Sequence, residues 1–227
     1  MAAPGASETV VVITGGDPIE RTALPPMAPG TYVIAADSGI DHAHALGLVI
    51  DLAIGDFDSV TPAGLARAEA EGALVDRHPV AKDATDLELA LDAALALAPE
   101  RVHLLGGHGG RLDHQMANLL LLAAPAYAAV VVTAQMGRAQ VAVVRRAAHL
   151  RGEVGALITL LAVHGPARGV TTTGLLYPLV DDELRPGSSR GVSNELTHPA
   201  ATVHVGDGVL LAIQPGAGDP RPEERSR

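Results

Sequence analysis

Two short stretches concentrate acids in a chain otherwise rich in alanine and aliphatics: Asp56-Phe57-Asp58-Ser59 and Lys82-Asp83-Ala84-Thr85-Asp86. Carboxylates this close together are hard oxygen donors of the kind that bind Mg2+ along with substrate phosphates. A third stretch runs from Gly106 to His114 and reads GGHGGRLDH. Its four glycines free backbone N–H groups to approach an anion, Arg111 can clamp phosphate, and Asp113 can hold a metal or a hydroxyl. It is neither G-x-x-x-x-G-K-[ST] nor a clean G-x-G-x-x-G, so a P-loop or a dinucleotide-binding fingerprint is not supported. The residues point to an Mg-nucleotide enzyme without a Walker motif, whose phosphoryl-type transfer is mostly positioning and charge neutralisation.

Rarity singles out two of these residues. Lys82 is the only lysine among 16 Lys and Arg, and Phe57 is the only phenylalanine. Lysine is a compact, rotatable point charge where arginine is a rigid fork. Phe57 lies between two carboxylates that face a ligand, so in an extended loop its ring is expected to point the other way, into the core.

The elements that must carry these stretches alternate. TVVVIT, TYVIAAD, DLAIGD, RVHLLGG and AVVVTA read as buried strands, while GIDHAHALG, TPAGLARAEAEG, ATDLELALDAALAL and RLDHQMANLLLLA read as helices. This predicts an α/β N-terminal domain with a mostly parallel sheet over 1–135. Ligands then bind beyond the carboxyl ends of the strands, where Asp37-Ser38-Gly39, the DFD stretch and the glycine-rich loop all fall. From 136 to 215, QVAVVRR, GALITLLAV, RGVTTTG, ATVHVG and GVLLAI read as short strands of a small all-β sandwich domain. The Pro/Gly-rich polar segment 216–227 is expected to be disordered.

Composition narrows the function classes. The chain has 227 residues, 48% hydrophobic and 19% charged, with a net charge of −10, a mean hydropathy of +0.24 and a pI near 5.4. That is enough for one large core or two smaller ones. Acidity without a basic run argues against nucleic acid. The absence of cysteine excludes disulfides, thiolate metal sites and a cysteine nucleophile. No apolar run reaches the length of a membrane span, and the first residues lack a signal-peptide pattern, so no membrane partner and a cytoplasmic location are expected.

Taken in order, ADSGIDHAHALG, DLAIGDFDSV, KDATDLELAL, GGHGGRLDHQMANLLLL, GVTTTGLLYPL and GSSRGVSNE strongly resemble the thiamine pyrophosphokinase family, from about Val11 to Ile213. The resemblance implies an N-terminal nucleotide-binding domain, a C-terminal β-sandwich, and a homodimer with sites between subunits. It also implies transfer of the pyrophosphoryl group of ATP to the hydroxyl of thiamine, releasing AMP. On this sequence its acidic metal and catalytic positions fall on Asp37, Asp56, Asp58, Asp83 and Asp86; Asp56, Asp58, Asp83 and Asp86 are expected to hold Mg2+, and Asp56, Asp58, Asp86 and Lys82 to carry catalysis. ATP falls to Asp37, Ser38, Gly39, Thr85, Gly107, Gly110, Arg111 and Asp113, and thiamine to Tyr177, Ser189 and Asn194. Asp86 or Asp58 is expected to orient the attacking hydroxyl. There is no tryptophan, so Tyr177 stands in for the large aromatic that some members set against thiamine.

Other readings stand beside this one. Thr85 with Glu88 three residues on makes a helix capping box that needs no ligand. His103 reads as structural, and His42 and His44 are too close for an i, i+4 metal pair. His108 and His114 flank the glycine-rich loop within reach of phosphate. A phosphotransferase with another alcohol acceptor, a non-catalytic nucleotide- or thiamine diphosphate-binding relative, and a structural interaction domain are the alternatives.

Overall fold

The structure is a computed structural model in which residues 8–216 are described. The tail expected to be disordered therefore lies, apart from Gly216, outside the described residues. The chain divides into two compact units between Gly137 and Arg138.

The first unit carries strands β1 (Thr9–Ile13), β2 (Tyr32–Ala36), β3 (Leu52–Gly55), β4 (Leu74–Arg77), β5 (Arg101–Leu105) and β6 (Val131–Met136). Its helices are α1 (Gly39–Ala45), α2 (Pro62–Ala70), α3 (Asp86–Ala96) and α4 (Leu112–Leu122). The strands lie in the order β6-β5-β1-β2-β3-β4, and each neighbouring pair is parallel. A parallel sheet covered on both faces wants continuous apolar strands. Val10–Ile13 and Ile34–Ala36 meet that demand with every residue fully buried. Helix α3 buries Leu87, Ala90, Leu91 and Ala94, an i, i+3, i+4, i+7 stripe. The chain runs outward from β1 through β2, β3 and β4, then returns to β5 on the other side of β1. This places the topological switch point beyond the carboxyl ends of β1 and β5.

β4 is a strand that the apolar pattern does not announce. All four of its residues are exposed and it pairs with β3 at the edge, so no buried face imposes a period of two.

The second unit contains β7 (Ala139–Val144), β8 (Ala147–Arg151), β9 (Leu157–Ala162), β10 (Ala167–Thr173), β11 (Asp182–Leu184), β12 (Asn194–Glu195), β13 (Ala200–His204) and β14 (Leu210–Gln214). They form two antiparallel sets, β12-β9-β14-β7 and β11-β10-β13-β8. Ile158, Leu160 and Leu210 from the first and Leu150, Val170 and Val203 from the second share one core. β8, β11 and β12 escape the sequence pattern because each buries a single side chain. Among the described residues no helix is long and apolar enough to cross a membrane.

Candidate active site

The site begins where β3 ends. Gly55 has φ +140°, and a Cβ there would come 3.0 Å from Asp86 Oδ1, so glycine lets the chain pass close to the start of α3. Phe57 follows with φ +62°, and its ring joins the core made by Ile13, Ile40, Ala53 and their neighbours. The ring points inward as expected, but through a left-handed backbone and not through extended alternation. A non-glycine residue in that conformation costs about 1 kcal/mol or more, strain that clusters at functional sites. Asp37, at the end of the adjacent β2, is also left-handed, with φ +47°. The Arg77 guanidinium sits 4.7 Å above the Phe57 ring centroid, covering its outer face.

These backbone twists gather carboxylates. Asp37, Asp56 and Asp58 each offer an oxygen such that the three lie within 4.8 Å of one another. Short-range bonds hold them in place. Asp58 N donates to Asp56 Oδ1 (3.2 Å), Ser59 N to Asp37 Oδ1 (3.4 Å) and Ser59 Oγ to Asp58 Oδ1 (2.7 Å). Asp41 of α1 accepts from Thr61 N and Thr61 Oγ1 (2.9 and 2.6 Å), and Thr61 in turn caps α2. The far end of the DFD loop is thereby tied down as well.

Lys82 Nζ lies 2.7 Å from Asp56 Oδ2 and 3.0 Å from Asp86 Oδ1, with side-chain exposures of 12% for Lys82 and 9% for Asp56. The hydrogen bond from Lys82 holds the Asp56 carboxyl below its ordinary value. Burial pulls the Lys82 ammonium down, yet Asp56 and Asp86 outweigh it and hold the ammonium above its usual range. Burial pushes Asp37 up, reinforced by the negative charges of Asp86 and Asp58. Carboxylate oxygens alone, crowded at one point, suit a hard divalent cation. Of the four acids expected to hold metal, Asp56 and Asp58 belong to the trio and Asp83 and Asp86 do not. Asp37 joins Asp56 and Asp58, Asp86 enters through Lys82, and Asp83 is exposed and outside the residues lining the cleft. Thr85 accepts from Glu88 N at 3.2 Å as the cap of α3 and also lines the cleft.

The cleft has a volume of about 680 Å³ and opens at the switch point. Asp37, Ser38, Asp56, Asp58, Lys82 and Asp86 form one wall, and Gly107, Gly110 and Arg111 the other. Arg111 and Asp113 pair at 2.5 Å, both about two-thirds exposed. Arg111 draws the Asp113 carboxyl down to about 2. Asp113 and Gly39 lie outside the lining. A Cβ on Gly39 would come 2.2 Å from Ile13 O, which makes it the point where α1 docks against β1.

Sequence reasoning passed over the floor of this cleft, the segment Thr14-Gly15-Gly16-Asp17. A Cβ on Gly15 would meet Ser38 Oγ at 2.2 Å and one on Gly16 would meet His108 O at 2.3 Å. Asp17 N donates to His108 O (2.9 Å) and Gly107 N to Gly15 O (2.8 Å), fastening the loops after β1 and β5 together. The signal was present, since two glycines directly follow a buried strand. Gln115 and Asn118 of α4 also line the cleft beside His108 and His114, and Asn118 Nδ2 donates to Gly107 O at 3.1 Å. His42 and His44 are engaged with the carbonyls of Gly16 and Gly64. His103 pairs with Thr133 Oγ1 at 2.7 Å, and burial pulls its imidazole down to about 4.

In the second unit, Tyr177 is 66% exposed on a loop fixed by Asn194. The buried Asn194 amide donates to Tyr177 O (2.8 Å) and accepts from Tyr177 N (3.0 Å) and Glu195 N (2.9 Å). Its side chain serves to present Tyr177. Ser189 is exposed in the turn between β11 and β12, where its carbonyl accepts from Val192 N at 3.1 Å. The neighbouring Arg190 pairs with Asp182.

The family model described as thiamin pyrophosphokinase, catalytic domain, matches residues 27–133, and the one described as thiamin pyrophosphokinase, vitamin B1 binding domain, matches residues 148–210. The chain belongs to the thiamine pyrophosphokinase family. The catalytic-domain match contains every carboxylate of the acidic cluster. Among relatives, thiamine pyrophosphokinase of Bacillus subtilis is 28% identical over 222 residues, covering 91% of this chain and 98% of its own. The crystal structure of a Bacillus subtilis thiamine pyrophosphokinase superposes with a TM-score of 0.79 over 92% of this chain and all of its own. That of a thiamin pyrophosphokinase family protein from Enterococcus faecalis, 26% identical, gives 0.76 over 92% and 98%. An α/β catalytic domain followed by an antiparallel β domain is thus the thiamine pyrophosphokinase arrangement.

Proposed function

We infer that the chain carries out the reaction of its family, transferring the pyrophosphoryl group of ATP to the hydroxyl of thiamine to give thiamine diphosphate and AMP. The observation that carries this reading is the convergence of Asp37, Asp56 and Asp58 at one point of a cleft whose opposite wall is a glycine-rich loop ending in Arg111. Asp37, Asp56 and Asp58 would hold Mg2+, which when bound neutralises the phosphates and orients them for in-line displacement. Lys82 and Arg111 add positive charge along the triphosphate, and the loops at Gly15-Gly16 and Gly107–Gly110 bring backbone N–H groups close to it. Asp86 or Asp58 orients the thiamine hydroxyl and takes its proton as the oxygen attacks the β-phosphorus. Tyr177, held out by Asn194, offers a ring face to thiamine, with Ser189 as a polar contact.

The chain works as a homodimer in the cytoplasm, with sites between subunits. Leu112, Met116 and Leu120, spaced four apart on α4 and all exposed, supply an apolar strip that supports self-association. Light scattering at working concentration tests this by mass. For the reaction, purified protein is incubated with Mg-ATP and thiamine and the products are separated. Equal amounts of thiamine diphosphate and AMP are expected. ADP with thiamine monophosphate would overturn the type of transfer, and activity only with other alcohols would overturn the acceptor.

A further inference from the structure

We propose that Lys82 sets the order of binding: as a tethered counter-ion it keeps a divalent ion from settling alone on the acidic corner, so that metal enters with the nucleotide. The proposal rests on the reading of Mg-ATP as substrate and concerns how the same site is loaded.

Asp56 belongs to two arrangements at once. One of its oxygens pairs with Lys82 Nζ at 2.7 Å, and it also contributes an oxygen to the trio with Asp37 and Asp58. A divalent ion drawn to that trio would meet an ammonium already bound to one of its carboxylates, and the two cations would repel at short range in a shielded corner. Lys82 cannot drift away cheaply. It is 12% exposed and is held from the other side by Asp86 Oδ1 at 3.0 Å, in the first turn of a helix whose cap at Thr85 fixes where the chain starts.

A triphosphate changes this balance. Lys82 lines the same cleft as the glycine-rich loop, so phosphate oxygens arriving there give its ammonium new partners. As Lys82 turns toward phosphate, Asp56 loses the ammonium and the trio of Asp37, Asp56 and Asp58 would be able to hold a divalent ion. The residue type fits this exchange. A lysine is a single point charge on a flexible stem with three donors, whereas an arginine fork would grip both carboxylates in fixed geometry. The only lysine among 16 basic residues stands at this position.

The test measures Mn2+ binding to the full chain without nucleotide, by the electron paramagnetic resonance signal of free Mn2+, in wild type, Lys82→Met and Lys82→Arg. In parallel, the affinity of a non-hydrolysable ATP analogue is measured in Mg2+. Removal of the ammonium should tighten Mn2+ binding about tenfold or more and weaken the analogue about tenfold. Lys82→Arg should keep Mn2+ binding weak. Unchanged or weaker Mn2+ binding in Lys82→Met would overturn the proposal, because a merely structural lysine would loosen both ligands together. If Lys82→Met does not fold, Lys82→Gln takes its place with the same criteria. Neither readout uses turnover, so failure to form thiamine diphosphate would overturn the assigned reaction and not this order of binding.

Discussion

The two walls of the cleft are built on opposite plans. In the acidic corner each charged group is fastened: Asp56 to Lys82, Lys82 to Asp86, Asp58 to Ser59 and Asp37 to the Ser59 backbone. The corner rests on a buried phenylalanine in a left-handed turn. The facing loop has glycines at 106, 107, 109 and 110, all with positive φ, and its one ion pair, Arg111–Asp113, is solvent-exposed. The first plan sets carboxylates in place before any ligand arrives. The second presents a backbone turned through four positive-φ glycines, held by bonds from Gly107 N to Gly15 O and from Asn118 Nδ2 to Gly107 O, beside one exposed guanidinium. The comparison teaches that one wall concentrates negative charge through cross-linked side chains while the other offers backbone and an exposed guanidinium.

Substitutions should separate the two plans. The largest effect is expected from Asp58→Asn, which keeps shape but removes a carboxylate charge from the trio with Asp37 and Asp56. Turnover should fall about 10²- to 10³-fold, while the melting temperature, read by calorimetry, stays close to wild type because Asp58 is exposed. Phe57→Ala removes the support under the acidic corner. It should destabilise the chain by about 3 kcal/mol and raise the Mg2+ concentration needed for half-maximal activity; unchanged metal dependence would show that the turn holds its shape without the ring.

Acid should also tell the walls apart. His103 lies on β5, the strand that leads into the glycine-rich loop, and its folded imidazole is pulled to about 4. The unfolded chain therefore takes up the proton first. Stability should fall as pH drops from about 6.5 to 4, by roughly 3 kcal/mol in all, and His103→Asn should flatten this slope in urea titrations across that range. Asp56 is shifted in the same direction, but its window lies at more acid pH. Its folded carboxyl is depressed by Lys82, so its contribution is present above the ordinary 3.8 and is lost only as pH falls below that through the depressed value. The smallest effect is expected from Arg77→Leu, which removes the guanidinium over Phe57. About 0.5–1 kcal/mol of stability is at stake, with a modest rise in metal requirement seen in Mg2+ titration.

Much of this site was legible because its residues directly follow apolar runs. The DFD and KDATD stretches and the glycine-rich loop all sit at strand ends or helix starts, where a one-dimensional pattern marks both the element and its exit. What the pattern alone leaves open is which partners, distant in sequence, each of these residues meets. Asp37 joins the trio because β2 and β3 pair in parallel, with Ala36 opposite Ile54 and Asp37 N donating to Ile54 O. Asn194 clasps a residue 17 positions away, so its type alone reads equally well as a ligand contact. β4 carries no buried face to betray it. Phe57 was placed correctly by alternation for a reason the backbone does not obey, since a left-handed turn, and not a pleat, sends it inward.

The division of labour between the walls is tested most directly by steady-state kinetics of Arg111→Ala set beside Asp58→Asn, with Mg-ATP varied at saturating thiamine. The account predicts a KM for ATP raised about tenfold with kcat largely kept in Arg111→Ala, and a collapsed kcat with KM largely kept in Asp58→Asn. A collapse of kcat in Arg111→Ala, with Asp58→Asn changed only in KM, would contradict it.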